Sequence, residues 1–272
     1  MSQPEGVVRL WLHGASGRMG REIQKAVFAD PGQFSFVGGS SRTFEGEAFY
    51  QGRAVTPPLL GDRLIKDKPD VVIDFSTLEG NETLRSAVRE GKVKGGRILI
   101  GTTGFDSSVL GEWQTLAREF DLTVLLAPNT SIGVLLTAQA ALKAALPLSR
   151  LGFDIEITET HHRMKKDAPS GTAKFLANTL ASGIGGLHVV SRHGGERQAG
   201  EIGVHAVRGG GVVGEHEIRI IGDFEEVTIS HRAFSRSLFA SGALVLAKWL
   251  RGQKPGFYGL LDVSLEDLIP AK

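Results

Sequence analysis

The sequence predicts an α/β protein of two domains, the first built on a parallel sheet and the second an α+β domain with a mixed or antiparallel sheet. Three observations support this prediction. Apolar runs of strand length alternate with helical segments in the first half, a glycine-rich loop follows the first run, and strict apolar–polar alternation begins only after about residue 130. Strands that alternate with helices typically form parallel sheets with both faces covered.

The strands of the first half are predicted from apolar runs that each end at Gly, Ser, Asp or Pro. Segments in which apolar residues recur with helical spacing lie between several of these runs. We expect strands at residues 7–13, 34–39, 71–75, 97–101 and 123–127, and helices at residues 18–29, 83–90 and 108–120.

The second half shows a different pattern. Residues 132–146 form an apolar segment of helix length, whereas residues 153–160 alternate, with Phe153, Ile155 and Ile157 on one face. We expect the last helix and the tail to pack back on the first domain. Further strands are expected at residues 202–207, 215–221 and 225–230, and the last helix at residues 234–250.

Composition and charge exclude several classes of function. The 272 residues carry 31 Lys and Arg against 30 Asp and Glu, a formal net charge of +1, which argues against a nucleic-acid partner. The absence of cysteine excludes disulfides, zinc–thiolate sites, iron–sulfur clusters and thiol nucleophiles. The N-terminus lacks the pattern of a secretory signal, and no uninterrupted apolar run reaches about 18 residues. We therefore expect a cytoplasmic protein without a membrane partner.

A glycine-rich loop, residues 14–20, follows the first predicted strand and opens the first predicted helix. In this context glycines permit a tight turn, a close approach of backbone to a pyrophosphate, and close packing of helix on strand. The N–H groups and dipole of the helix N-terminus attract phosphate. The loop therefore predicts dinucleotide binding, in preference to the alternative of an ordinary glycine-rich turn.

The tip of the second strand bears on the choice of dinucleotide. An acidic residue about 20 positions after such a loop commonly binds the adenosine ribose hydroxyls. Here the run is Gly38-Gly39-Ser40-Ser41-Arg42, without an acid. The Arg42 guanidinium suits a 2′-phosphate, which predicts that NADPH is preferred or at least tolerated. The alternative is that Arg42 is a solvated loop residue stacking on adenine.

Two further loops, residues 101–104 and residues 127–130, end predicted strands of the parallel sheet. Ligands of such sheets bind at the C-terminal ends of the strands, so both loops are candidates for the nicotinamide side of a cofactor site. Taken alone, each loop is by default interpreted as a plain turn.

Residues 161–172, here called the cationic segment, begin with five nitrogen-bearing side chains in six residues. A helix start follows, where Ser170 can cap the first turn and the N–H groups of Gly171 and Thr172 point outward as an anion site. In a chain of net charge +1, this concentration of cations favours a small, strongly anionic ligand. The alternative is a solvated basic loop, which explains most charge runs.

A small dicarboxylate substrate fits these residues better than a metal ion does. Neighbouring histidines on an extended strand face opposite ways, and no third ligand is evident, so we expect no metal site. His161 and Lys165 can each donate a proton to a substrate. Glu156 and Glu159 lie upstream and either orient or balance these cations or are surface residues.

The run from Glu156 to Ala173, EITETHHRMKKDAPSGTA, resembles the signature of the 4-hydroxy-tetrahydrodipicolinate reductase (dihydrodipicolinate reductase) family, which acts in the diaminopimelate route to lysine. The signature is long and specific, and the resemblance spans nearly the whole chain. It also includes residues 14–20, 74–76, 101–105, 207–216 and 254–263.

The resemblance implies a Rossmann-like, dinucleotide-binding domain at residues 1–130 and 240–272. It implies a second domain at residues 131–239 that binds substrate and builds a homotetramer. The implied reaction is hydride transfer from NADPH or NADH to a cyclic imine dicarboxylate, with loss of the 4-hydroxyl as water. Ser41 stands where some members carry an acidic residue, which leaves the cofactor choice open.

The resemblance also implies site residues. His161 is expected to be the proton donor or acceptor and Lys165 the proton donor, while His162, Gly171 and Thr172 are expected to hold a substrate carboxylate. The residues expected to line the cofactor are Gly14, Ala15, Ser16, Gly17, Arg18, Met19, Ser41, Arg42, Gly101, Thr102, Thr103, Ala127, Pro128, Asn129 and Thr130.

Three alternatives share part of this pattern. A phosphorylating semialdehyde dehydrogenase needs a cysteine nucleophile, which this chain lacks. A two-domain sugar oxidoreductase usually carries Glu-Lys-Pro, whereas the Lys-Pro pairs here follow Asp67 and Gln253. A non-catalytic redox sensor would bind dinucleotide without turnover, and the presence of both His161 and Lys165 argues against it.

Overall fold

The computed structural model describes residues 6–41, 55–56, 64, 67–192 and 194–268. The chain divides into two compact units. Unit 1 comprises Met1–Ser131 and Ser237–Lys272, and unit 2 comprises Ile132–Arg236.

Unit 1 contains a seven-stranded parallel sheet with helices packed against it. Its strands are β1 (Val8–His13), β2 (Phe34–Ser40), β3 (Val55–Thr56), β4 (Val71–Asp74), β5 (Arg97–Ile100), β6 (Thr123–Leu126) and β12 (Gly256–Gly259). Its helices are α1 (Arg18–Ala29), α2 (Leu78–Arg89), α3 (Ser107–Glu119) and α6 (Ser237–Arg251).

The strand order is β12-β6-β5-β4-β1-β2-β3, and every pair in it is parallel. The chain builds outward from β1 through β2 to β3, then returns to the other side of β1 to begin β4. Sheets of this order bind ligands beside the point of reversal, at the C-terminal ends of the strands. The order therefore places a ligand at the ends of β1, β2, β4 and β5, and it confirms the predicted Rossmann-like fold.

Both faces of the unit 1 sheet are buried, as the apolar strands predict. Trp11 of β1 belongs to a core cluster with Leu84 of α2 and Trp113 of α3, whereas Leu10 and Leu12 alternate with it and are also buried. Helices α1 and α6 pack against each other, and α6 also contacts β4 and β5. The last helix thus belongs to unit 1, as expected.

Unit 2 contains a five-stranded mixed sheet in the order β11-β10-β7-β9-β8. Strand β7 is parallel to β9 and antiparallel to β10, and β10 is antiparallel to β11. Its strands are β7 (Asp154–His161), β8 (His188–Ser191), β9 (Glu201–Arg208), β10 (Gly214–Ile221) and β11 (Glu226–Ala233), and its helices are α4 (Ile132–Arg150) and α5 (Gly171–Ile184).

One face of the unit 2 sheet packs on α4 and α5. Ile157 and Ile218 from adjacent strands join Ala138 of α4 and Leu176 of α5 in one core cluster. Among the described helices, α4 alone is long and apolar enough to cross a membrane by length and composition. Four of its residues, Val134, Ala138, Ala141 and Ala145, are buried in this core cluster.

Three short strands, β3, β8 and β12, were not predicted, because they have two to four residues and little apolar alternation. Helix α2 begins at Leu78, earlier than expected, since the Thr77 hydroxyl accepts a 3.1 Å hydrogen bond from Gly80 N and caps the helix. The final helix begins later than expected, at Ser237.

Candidate active site

The glycine-rich loop of unit 1 joins β1 to α1 through a turn at Gly14, where φ is +86°. A Cβ at Gly14 would lie 2.4 Å from the Phe75 carbonyl oxygen, and one at Gly20 would lie 2.4 Å from the Gly14 carbonyl oxygen. These two glycines therefore permit close packing inside the protein. A Cβ at Gly17, the N-cap of α1, would meet only the Gly14 carbonyl oxygen, at 3.2 Å.

Gly17 is thus the glycine of the loop whose free space is available to a ligand. The first turn of α1 holds no acidic residue. The first N–H groups of a helix have no partner within the helix, and they carry its positive dipole end. This arrangement suits a phosphate group.

A buried histidine, His13, at the end of β1 connects the end of β2 with the first turn of α2. Its Nε2 donates a 2.8 Å hydrogen bond to the Gly80 carbonyl oxygen, and its Nδ1 shares a 2.6 Å hydrogen bond with the Ser40 hydroxyl. Ser41 follows Ser40, and its hydroxyl contacts that of Ser16 in the glycine-rich loop. The tip of β2 is therefore fixed against the loop.

Asp74, at the end of β4, is fully buried and accepts four hydrogen bonds. Ser76 donates from its backbone N at 2.9 Å and from its hydroxyl at 2.5 Å. Asn81 Nδ2 donates at 2.8 Å and the Thr102 hydroxyl at 3.0 Å. One carboxylate thus holds together the loops that follow β4 and β5.

These loops enclose a cavity of about 720 Å³ at the C-terminal edge of the parallel sheet. Its size fits the 300–1,000 Å³ that is usual for small-molecule and cofactor sites. Of the residues expected to line the cofactor, Gly14, Ser16, Gly17, Arg18, Met19, Ser41, Gly101, Thr102 and Thr103 line this cavity. Residues that sequence reasoning did not assign to the site also line it, namely His13, Ser40, Phe75, Ser76, Thr77, Glu79, Gly80 and Thr83.

The other expected cofactor residues are Ala15, Arg42 and Ala127–Thr130. Ala15 is buried in the core, and Arg42 lies outside the described residues. The loop from Ala127 to Thr130 does not line this cavity, and its polar groups bond within unit 1. The Asn129 side-chain oxygen accepts from Ser131 N at 2.9 Å, and the Thr130 hydroxyl donates to the Phe239 carbonyl oxygen at 2.7 Å.

In unit 2, Glu159 is the centre of a buried polar cluster. Its side chain has no exposed surface, and it accepts a 2.6 Å hydrogen bond from Nδ1 of His161. Arg208 donates to both carboxylate oxygens, at 2.8 and 2.7 Å, and Ser170 N donates at 2.9 Å. Glu159 therefore orients His161, which was one of the two interpretations left open by the sequence.

The hydrogen bonds of His161 define which ring nitrogen can exchange a proton. A carboxylate only accepts, so Nδ1 carries a hydrogen and Nε2 is the atom that remains for chemistry. A Cβ at Gly214 would lie 2.9 Å from Nε2, so glycine at that position keeps space open beside it. The side chain of His161 is about 10% exposed.

Burial and the neighbouring charges act in opposite directions on the pKa values of His161 and Glu159. Burial is the largest influence on His161 and lowers its pKa below 6.5, although Glu159 raises it. Burial raises the pKa of Glu159, but hydrogen bonds from Arg208 and His161 outweigh burial and hold that pKa below 4.5. The carboxylate is thus ionised at neutral pH.

The rest of the cationic segment surrounds His161. The Lys165 ammonium lies 2.9 Å from an Asp167 carboxylate oxygen, and its side chain is 21% exposed. His162 lies beside Arg236, whose guanidinium is 3.5 Å from Nε2 of His162. Arg236 was not identified from the sequence.

Helix α5 begins within the cationic segment. The Ser170 hydroxyl accepts a 3.1 Å hydrogen bond from Ala173 N and caps the helix, as the sequence predicts. Gly171 and Thr172 are the first residues of the helix, and a Cβ at Gly171 would meet nothing within 4 Å. Open space and a helix N-terminus therefore coincide at Gly171, as an anion site requires.

Glu156, the other acidic candidate on β7, lies on the opposite face of the sheet. It pairs with Arg197 and accepts a 2.6 Å hydrogen bond from Nε2 of His205. These residues border a separate cavity of about 470 Å³. Glu156 therefore does not orient His161. Within the described ranges, no three His, Asp or Glu side chains are arranged to hold a metal ion.

Comparison with known proteins identifies the family. The family described as "Dihydrodipicolinate reductase, N-terminus" matches residues 8–130, and "Dihydrodipicolinate reductase, C-terminus" matches residues 133–263. The chain belongs to the dihydrodipicolinate reductase family.

Members of this family resemble the chain over nearly its full length. The 4-hydroxy-tetrahydrodipicolinate reductase of Methanoculleus marisnigri is 38% identical over 94% of this chain and 99% of that protein. The enzyme of the same name from Aquifex aeolicus is 40% identical over 94% of this chain and 98% of that protein.

A solved dihydrodipicolinate reductase has the same architecture. The structure of dipicolinate-bound dihydrodipicolinate reductase from Paenisporosarcina sp. TG-14 superposes with a TM-score of 0.77 at 26% identity, covering 95% of this chain and all of that one. Family membership shows that the chain is an oxidoreductase of lysine biosynthesis by the diaminopimelate route, which confirms the expectation drawn from residues 156–173.

Proposed function

We propose that this protein catalyses the reduction of 4-hydroxy-tetrahydrodipicolinate to tetrahydrodipicolinate with a nicotinamide cofactor and loss of water. The observation that carries the proposal is the buried Glu159–His161 pair directly before the N-terminus of α5. A proton donor and an anion site there lie within one short segment. The net reaction consumes one hydride and one proton and releases the 4-hydroxyl as water.

We assign the cofactor to the 720 Å³ cavity of unit 1. The fit rests on the space left by Gly17 and on the α1 N-terminus, which suits a pyrophosphate. Ser41 and Thr102 offer hydroxyls at the cavity wall. A reduced nicotinamide supplies the hydride. The residues that we assign to the cofactor are those of the loops that end β1, β2 and β5, which line this cavity. We also assign Ala127–Thr130, which are not part of the cavity lining, to the nicotinamide side on the strength of the sequence.

We assign the dicarboxylate to the cationic segment. One carboxylate is held by the backbone N–H groups of Gly171 and Thr172 and by His162, since charge-assisted hydrogen bonds are stronger than neutral ones. His161 holds a proton at Nε2 while Glu159 fixes its orientation through Nδ1. Lys165 holds a second transferable proton at Nζ.

The chain's own residues accelerate the reaction by donating a proton to the substrate. Hydride addition leaves electron density on the ring nitrogen or on a conjugated carbon. A correctly positioned acid neutralises this charge by donating a proton. Such an acid contributes about 10²–10⁴-fold to the rate. His161 and Lys165 are the two candidates, and cations around the ring also hold it in a reactive orientation.

We infer that NADPH is preferred or at least tolerated. The tip of β2 offers Ser40 and Ser41 rather than an acid, and Arg42 follows them in the sequence. A carboxylate at this tip would repel a 2′-phosphate, whereas hydroxyls do not. Turnover measured with both dinucleotides tests this inference, and a strong preference for NADH would contradict a phosphate-binding role for Arg42.

We also propose a cytoplasmic homotetramer assembled through unit 2. On the face of its sheet opposite α4 and α5, Val207 is an exposed apolar side chain that an interface would cover. Light scattering is expected to give the mass of four 29.1 kDa chains. A monomer at micromolar concentration would contradict the assembly and leave the assigned chemistry standing.

The decisive test of function is turnover. Purified protein is mixed with NADPH, and the substrate is made in situ by the synthase that precedes this reaction. We expect oxidation of NADPH that depends on the synthase and its substrates. No oxidation with either dinucleotide would contradict the proposal and favour a non-catalytic dinucleotide sensor.

A further inference from the structure

Three polar residues form a row across the helix-covered face of the unit 2 sheet. Glu159 of β7 lies opposite His216 of β10, which lies opposite His231 of β11. The adjacent row is apolar, with Ile157 and Ile218 fully buried. His216 is 4% exposed, so an imidazole is buried on this face directly beside an aliphatic row.

His216 contacts two parts of the proposed site. The edge of one ring meets the face of the other between His216 and His161, with ring centroids 5.3 Å apart and an interplanar angle of 74°. Nε2 of His216 lies 3.3 Å from the Ser170 hydroxyl, which caps α5. His216 therefore touches both the proton-donating ring and the cap of the helix assigned to the substrate carboxylate.

This position carries an energetic cost that packing alone does not explain. Nδ1 of His216 is buried and has no hydrogen-bond partner among the residues that the structure describes. A buried polar atom left unpaired destabilises a protein, and an aliphatic side chain such as that of Ile218 would avoid the penalty. The imidazole makes contacts with His161 and Ser170 that an aliphatic side chain could not make, and these contacts offset the penalty.

We propose that His216 is a positioning residue for the reduction, holding the His161 ring and the Ser170 cap of α5 in one arrangement. The inference rests on the proposed function of the cationic segment. His216 does not reach the substrate; it acts through the two residues that it touches.

The ring of His216 is uncharged at neutral pH. Burial, the largest cause, and the nearby His161 lower its pKa to about 4. The titratable groups that face it are Glu159 and His161 on β7, Lys165 after β7 and His231 on β11. An uncharged ring can pack beside a protonated His161 without repelling it, which a lysine or arginine at this position could not do.

Two substitutions separate positioning from folding. His216→Leu keeps a buried side chain of similar size but removes the bond to Ser170, whereas His216→Asn keeps a neutral hydrogen-bonding group. His231→Leu is the matched control, because this neighbouring histidine belongs to the same row, and its ring centroid lies 6.4 Å from that of His216. Thermal unfolding of each variant establishes that it is folded.

We expect His216→Leu to lower kcat about 10- to 100-fold, the scale of a small misplacement of a catalytic group, with the KM for NADPH changed less than about twofold. His216→Asn is expected to recover most of the loss, and His231→Leu to stay within about twofold of the parent protein. A folded His216→Leu variant with parental kcat would overturn the inference. A His216→Asn variant as impaired as His216→Leu would overturn the role assigned to the Ser170 bond.

Dipicolinate affinity, measured by calorimetry, tests the inference without turnover. We expect His216→Leu to weaken dipicolinate binding at least about fivefold, because the cap of α5 is loosened, and His216→Asn to stay near the parent value. If the parent protein turns over substrate but the variants lack the predicted effects, the role of His216 is wrong and the proposed function stands. If the parent neither turns over substrate nor binds dipicolinate, the proposed function fails with it.

Discussion

Glu159 accepts a hydrogen bond from Nδ1 of His161 at 2.6 Å while its second oxygen accepts from Ser170 N, the residue that caps α5. One buried carboxylate therefore connects the proposed proton donor with the proposed anion site. Arg208 balances its charge through two hydrogen bonds. The geometry of the cationic segment depends on this single side chain.

Glu159→Gln is expected to change the pH dependence of the reaction. Glu159 raises the pKa of His161 against the dominant effect of burial, so its loss lowers that pKa further. His161 donates its proton only when charged, and activity falls as pH rises through its pKa. The descending limb of kcat/KM against pH should therefore move to lower pH, and at pH 7.5 kcat/KM should fall about tenfold or more.

The matched control is Glu156→Gln, on the same strand but on the opposite face, where the carboxylate pairs with Arg197 and His205. We expect it to leave the pH profile unchanged. If the limb in Glu159→Gln stayed in place or moved to higher pH, His161 would not be the group whose titration controls turnover.

Lys165→Ala is expected to slow the chemical step and to leave cofactor affinity unchanged. Lys165 belongs to the cationic segment and not to the residues around the cavity of unit 1. We expect kcat to fall about 100-fold or more, with NADPH affinity, measured by fluorescence titration, within about twofold of the parent. Lys166→Ala, at the exposed neighbouring position, serves as the control. Loss of NADPH binding in Lys165→Ala would show that its role is assigned wrongly.

Gly17→Ala and Gly20→Ala separate ligand binding from packing. A methyl at Gly20 would press on the backbone oxygens of Gly14 and Ala15, at 2.4 and 2.5 Å, and should destabilise the fold by about 1–3 kcal/mol. A methyl at Gly17 meets one atom at 3.2 Å, and Gly17 lines the cavity assigned to the cofactor. We expect Gly17→Ala to keep its unfolding midpoint within a few degrees but to lose about tenfold or more in NADPH affinity.

Unfolding midpoints and fluorescence titrations on both variants make this comparison. Equal losses of affinity at equal stability would mean that the two glycines do not play the separate roles assigned to them.

Asp74→Asn should destabilise unit 1. The carboxylate accepts from four donors, and an amide would place its NH₂ group against two of them. An unsatisfied buried group of this kind costs about 1–3 kcal/mol, seen as a shift of the denaturant midpoint. Thr102→Val, which removes one donor, should cost less. A neutral Asp74→Asn would mean that this network does not hold the loops after β4 and β5.

Much of the fold could be predicted from local pattern. The uninterrupted apolar strands, such as Val71–Asp74, indicate a sheet covered on both faces, and the alternation around Ile155 and Ile157 indicates one covered face. The parallel pairing of β7 with β9 could not be predicted from alternation. Alternation reports which side of a strand is buried, but the direction of its partner depends on the path through α5.

Some residues of the site could be predicted from the sequence and others could not, for a related reason. The glycine-rich loop and the cationic segment are continuous in sequence, so their members could be found together. His13, Asp74 and His216 are single residues at strand ends or in strand interiors, and tertiary structure alone brings them to the site. Arg208 and Arg236 reach the cationic segment in the same way.

The most direct measurement of the central claim is a crystal structure of the protein with dipicolinate bound. We predict a carboxylate of the ligand within about 3 Å of the backbone N–H groups of Gly171 and Thr172, with Lys165 and His161 directed at the ring. Dipicolinate bound away from residues 161–172, with that segment facing bulk solvent, would contradict the account.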